Sequence, residues 1–149
     1  MEEMKMMLVD DEERFLSTTK KLLAKRGYDV IVAGGGEEAL EKLRTHNIHV
    51  VILDVKMPGM DGIETLKAIK RLYPLVEVIM LTGHGTVESA VDGLKSGATD
   101  YLTKPADVNE LIEKAAKAFE NRRRLEEKIR VAQARASMKS PREITRASE

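Results

Sequence analysis

Five short apolar runs, each followed by a segment with apolar residues at helical spacing, leave this chain few architectures. The runs cover 5–9, 29–33, 50–53, 77–81 and 100–102 and are rich in Val, Ile, Leu and Met, as strands of a sheet covered on both faces are. Between them, Phe15/Leu16/Leu22/Leu23, Ala39/Leu40/Leu43, Ile63/Leu66/Ile69 and Val87/Ala90/Val91/Leu94 repeat at helical intervals. Gly27 after Lys25-Arg26 and Gly97 after Lys95-Ser96 predict left-handed helix ends with basic last turns, and Pro74 closes the third helix. Such alternation implies right-handed βαβ crossovers and a parallel sheet. At 149 residues, an open doubly wound α/β sheet of five strands fits better than a closed barrel. Ligands of open sheets gather at the carboxyl ends of the strands.

Those ends carry a pattern. The first run stops at Asp10-Asp11, the third at Asp54, the fourth at Thr82 and the fifth at Thr103-Lys104-Pro105. In one sheet, three carboxylates, a hydroxyl and an ammonium would converge on one edge. Crowded carboxylates repel and raise one another's pKa values unless a cation is present. A few carboxylates with otherwise open positions suit Mg²⁺, which keeps waters and takes phosphate oxygens. Lys104 suits a phosphoryl oxygen, and one aspartate can act as nucleophile to give an acyl phosphate. Each residue alone also has a plainer account. Residues 10–13 form an acidic helix start with Asp10 and Glu13 at capping-box spacing. Thr82 can tie to backbone and Lys104 can face water. Asp54 is harder to dismiss, because a lone carboxylate after an apolar run carries a desolvation cost.

Composition removes other classes. The chain has no Cys, which excludes disulfides and thiolate metal sites. Its apolar runs are too short to span a bilayer, and the N-terminus lacks the pattern of a signal peptide. The expectation is a soluble cytoplasmic protein. Residues 1–119 hold 16 Lys/Arg against 20 Asp/Glu, a charge of −4, and residues 120–149 hold 9 against 5, a charge of +4. Nothing aromatic or base-reading accompanies that basic end, which argues against a nucleic-acid partner. His46 and His49 stand in no metal-ligand spacing.

In order and spacing, "MLVDDEE", "VVILDVKMPGMDGIETL", "VIMLTGHG" and "GATDYLTKP" resemble the receiver domain of two-component response regulators. The resemblance covers residues 4 to 119 and leans toward receivers of sigma-54-type activators. It implies strand order 2-1-3-4-5 and a CheY-like fold. It makes Asp54 the phosphoacceptor, with Mg²⁺ held by Asp54, Asp11, Asp10 (through water) and the backbone carbonyl of Lys56. Thr82 and Lys104 would contact the phosphoryl group, with Pro105 in a cis peptide bond, and Tyr101 would act with Thr82 as the switch. Lys56 and His84, two residues beyond Asp54 and Thr82, would tune the acyl phosphate lifetime, while small Gly83 leaves the approach open. A histidine kinase or phosphotransfer protein would be the donor. Signalling would pass through the face of the fourth helix, fifth strand and fifth helix, which can also form a homodimer. The domain would catalyse only its own phosphorylation and dephosphorylation.

Two rivals stand beside this. One is a Mg²⁺-dependent aspartyl-phosphate phosphatase. Haloacid-dehalogenase-like enzymes, however, carry D-x-D after the first strand, whereas here Lys56 stands two past Asp54. The other is an interaction module indifferent to phosphorylation. Beyond the receiver (1–119), Leu111, Ala115, Ala118, Arg122, Leu125, Ile129, Ala132 and Ala136 step by fours and threes. That is heptad spacing, which predicts a helical extension over 120–136, either a short coiled coil that can dimerise or a solvated arm. The polar segment 137–149, with Pro141, is expected to be disordered.

Overall fold

The computed structural model describes residues 3–56, 61–83 and 87–148, with side chains up to residue 138 except those of 87 and 89. Strands β1 (Met6–Val9), β2 (Val30–Ala33), β3 (Val50–Asp54), β4 (Glu77–Thr82) and β5 (Asp100–Thr103) alternate with helices. These are α1 (Glu13–Lys25), α2 (Gly36–Thr45), α3 (Gly62–Leu72), α4 (Val87–Lys95) and α5 (Val108–Ser148). All strand pairs are parallel and the sheet order is β2-β1-β3-β4-β5. The doubly wound fold expected from the alternation is the one observed.

Both faces of the sheet are covered, which is why its strands read as unbroken apolar runs. Met7, Val9, Val51, Leu53, Val78 and Met80 pack with Ala39 and Leu43 of α2 and Leu66 and Ile69 of α3. On the other face Met6, Leu8, Val50, Ile52, Ile79 and Leu81 meet Leu16 and Leu23 of α1 and Leu111, Ala115 and Ala118 of α5. Each of these Val, Leu, Ile and Met side chains contributes about 1.5–3 kcal/mol on burial. Gly93 lets α4 lie close on the sheet, since a Cβ there would stand 3.1 Å from Met80 Cγ. The left-handed ends are present at Gly27 (φ 86°) and Gly97 (φ 108°).

The last helix has helical backbone to Ser148, and it differs from expectation at one position. Arg122, placed by its spacing in a heptad seam, turns back onto the domain. Its guanidinium donates to the Ile48 carbonyl (3.0 Å) and to Glu126 (3.0 Å), and the side chain is only 12% exposed. Any seam therefore starts at Leu125 and Ile129, which are exposed.

Candidate functional site

Strands β1, β3, β4 and β5 are sheet neighbours in that order, so their carboxyl ends meet. Asp10 directly follows β1 and is fully buried, while Asp11 is exposed. Asp54 is the last residue of β3 and Thr82 the last of β4, both buried. Lys104 follows β5, fixed by its backbone N–H to the Thr82 carbonyl (2.7 Å) and followed by a cis bond to Pro105. Five expected residues are thus drawn to one edge. Asp10 is no capping-box residue, because α1 begins after Glu12 without a side-chain cap, and Asp10 Oδ1 instead accepts from the Glu12 N–H at 2.9 Å.

Sequence local to Asp54 shapes the rim. Asp61 caps α3, its Oδ1 accepting from the Glu64 N–H at 2.8 Å. Gly62 begins the helix so close to the end of β3 that a Cβ would lie 2.4 Å from the Asp54 carbonyl oxygen. Only glycine fits that approach. At Gly83, nothing among the described residues lies within 4 Å of a Cβ built there. Lys56 is exposed, and its N–H donates to Asp54 Oδ1 at 3.2 Å. His84 lies outside the described residues.

Charge at this edge is unbalanced. Asp10, Asp11 and Asp54 can each bring a carboxylate oxygen within 4.8 Å of the others. Burial, then the neighbouring Asp10 charge, push the Asp54 pKa up to about 6; Lys104 and the Lys56 N–H pull against this, and Asp11 adds to it. The Lys104 ammonium stands 2.6 Å from Asp10 Oδ2, 3.3 Å from Glu12 Oε1 and 3.7 Å from Asp54 Oδ2. Burial lowers the Lys104 pKa, but Asp10, Asp54 and Glu12 outweigh it and the net shift is upward. Apart from this ion pair, buried Asp10 Oδ2 has no hydrogen-bond partner among the described residues. A buried oxygen in that condition, beside two further carboxylates, fits a hard divalent cation.

The Thr82 hydroxyl donates to the Leu102 carbonyl at 3.3 Å. Tyr101 is 39% exposed and points outward, with the Lys114 ammonium 5.4 Å from its ring centroid. Two residues at this edge carry no site role from sequence. Glu12 and Phe15 both touch Lys104, the latter with its ring centroid 4.6 Å from Nζ. Glu12 was signalled only as part of the acidic helix start and Phe15 only as part of the apolar stripe of α1.

Comparison with known proteins decides the family. The model described as the response regulator receiver domain matches residues 6–116. This chain belongs to that family. The receiver is 44% identical over 112 residues to the transcriptional regulatory protein ZraR of Escherichia coli strain K12, covering 73% of this chain and 25% of ZraR. It is 45% identical over 108 residues to the transcriptional regulatory protein CpxR of the same strain, covering 72% of this chain and 46% of CpxR. A CheY-like receiver structure from Methanospirillum hungatei JF-1 superposes with a TM-score of 0.77 at 31% identity, over 83% of this chain and 98% of that one. The receiver spans about a quarter of the length of ZraR. Among its described residues no helix is long and apolar enough to cross a membrane.

Proposed function

We propose that the receiver is a cytoplasmic phosphorylation switch whose phosphoacceptor is Asp54. The observation that carries this is the buried Asp54 carboxylate, held between Asp10 and Lys104 at the end of a central strand. An Asp54 oxygen would attack phosphorus in a phosphohistidine of a histidine kinase or phosphotransfer protein. The P–N bond breaks, an acyl phosphate forms, and the departing imidazole takes up a proton. Asp10, Asp11, Asp54 and the Lys56 carbonyl would hold Mg²⁺, which when bound neutralises charge spreading over the transferring oxygens.

The chain's own groups complete the event. Lys104 would exchange an Asp10 oxygen for a phosphoryl oxygen, and the Thr82 hydroxyl would leave Leu102 to donate to another. The space left by Thr82 would admit the Tyr101 ring, changing the face of α4, β5 and α5 through a local charge event that biases a two-state element. That face, or the arm beyond Arg122, would then meet an output partner or a second copy. Lys56 and His84 would govern how fast water reaches the acyl phosphate. Residues 1–119 form the receiver proper and the rest of α5 the arm.

Incubation with Mg²⁺ and acetyl phosphate, followed by intact mass, tests the central step. Wild type gains one phosphoryl group, EDTA prevents it, and Asp54→Asn does not gain it. An undiminished adduct in Asp54→Asn would sink the assignment.

A further inference from the structure

The Lys104 ammonium is held on its outer side by α1, a helix the phosphoacceptor chemistry leaves unused. Asp10 and Asp54 face it from the sheet, while Glu12 and the Phe15 ring face it from the start of α1. Phe15 is half-buried, with its body packed on the core cluster that holds Leu16 and Leu111. A cation 4.6 Å from a ring centroid lies inside cation–π range, and this one is only 16% exposed. Glu12 is the weaker partner, because its side chain is 66% exposed.

We propose that Phe15 is a positioning residue for Lys104, keeping the ammonium poised above Asp54 as it passes from Asp10 to an incoming phosphoryl group. The inference rests on the phosphoacceptor reading of Asp54. Its physical basis is a difference between the two kinds of partner. Asp10 binds the ammonium as a full anion and competes with a phosphoryl oxygen for it. The ring face attracts the same cation through its quadrupole, carries no net charge, and restrains direction without a rival anion. Losing the ring leaves the end of a four-carbon stem free to move away from Asp54, and misplaced charge is costly in phosphoryl transfer.

A double-mutant cycle on the full chain separates positioning from packing. Initial rates of Asp54 phosphorylation by acetyl phosphate with Mg²⁺ are read by intact mass in wild type, Phe15→Leu, Lys104→Ala and the double variant. Phe15→Leu is expected to lose about fivefold in rate, a typical worth for a partly desolvated cation–π pair. In the Lys104→Ala background the same substitution is expected to change nothing, and Phe15→Tyr is expected to restore the wild-type rate. NMR gives a readout free of the chemistry. Ring current shifts the Lys104 ε-protons upfield in wild type and Phe15→Tyr, and the shift disappears in Phe15→Leu. Thermal melts check folding, with Phe15→Met as the substitute should the leucine variant not fold. A wild type that takes no phosphoryl group defeats the phosphoacceptor reading itself. A wild type that is labelled, with a Phe15→Leu rate equal to it or a loss equally large without Lys104, overturns the positioning role alone.

Discussion

At the carboxyl edge of the sheet, Asp10 and Asp54 are buried beside exposed Asp11, and Lys104 is the cation that answers them. At the amino edge of the same sheet, Glu77 is just as buried, yet it accepts from the Thr99 hydroxyl and from Asn121 Nδ2 (3.0 Å). Around it, Lys70 donates to the Pro74 and Val76 carbonyls at 2.8 and 2.9 Å, and Arg122 donates to the Ile48 carbonyl. Buried His49 accepts from the Lys5 N–H at 2.9 Å and packs on Phe119. One fold therefore buries carboxylates by two strategies. Where each is matched to donors, it ties β4, β5 and α5 together. Where several are crowded against one ammonium, the misfit is available to a ligand.

The largest test concerns shape. If the carboxyl edge is unsettled only in charge, its backbone must be tight, and Gly62→Ala should strike hard. The new Cβ would meet the Asp54 carbonyl at 2.4 Å and Val55 Cα at 2.5 Å, and neither backbone atom is free to yield. A loss of about 3 kcal/mol in urea denaturation is expected, at the upper end for overpacking. Gly83→Ala, with nothing among the described residues within 4 Å of its Cβ, should cost far less. Equal losses would mean the rim of the site is loose.

The second test removes the misfit. The folded pKa of Asp54, about 6, lies above its ordinary 3.8, so the folded chain binds that proton more tightly than the unfolded one. Ionised Asp54 therefore costs stability above pH 6, and acidification from pH 7 toward 4 restores it. Asp54→Asn should stabilise the Mg²⁺-free protein by about 1–2 kcal/mol at pH 8, and the gain should vanish toward pH 4. Urea titrations of both proteins across this range measure it. An asparagine variant less stable than wild type at pH 8 would show that the carboxylates at this edge are already compensated.

Much of this contrast was present in the sequence, though unevenly. Apolar runs bounded by Asp10, Asp54, Thr82 and Lys104 fixed both the sheet and the chemical edge, because strand period and strand-end position are local properties. Glu77 obeyed the same rule at the opposite end of its run, a carboxylate against "VIML", and could have been read as buried. Its partners could not, since Asn121 lies 44 residues away. The Lys104–Glu12 contact spans 92 residues and depends on how α1 leaves β1. Arg122 was misplaced for another reason. Steps of three and four describe both a coiled-coil seam and a stripe packed on a sheet, and only tertiary contact separates them.

That ambiguity supplies the smallest and most discriminating test. Arg122→Ala removes the donor to the Ile48 carbonyl while leaving the Asn121–Glu77 bond and the core stripe through Ala118 intact. Partial burial lets water recover some of the loss, so about 1 kcal/mol of destabilisation is expected. Because every group it touches lies at the settled edge, the penalty should be the same with and without Mg²⁺, and the same at pH 5.5 and pH 8. Asp54→Asn, by contrast, should respond to both conditions. Paired melts of the two variants make the comparison. A penalty for Arg122→Ala that changes with Mg²⁺ would mean the two edges are coupled through β4, with the arm sensing the acidic site even before any phosphoryl group arrives.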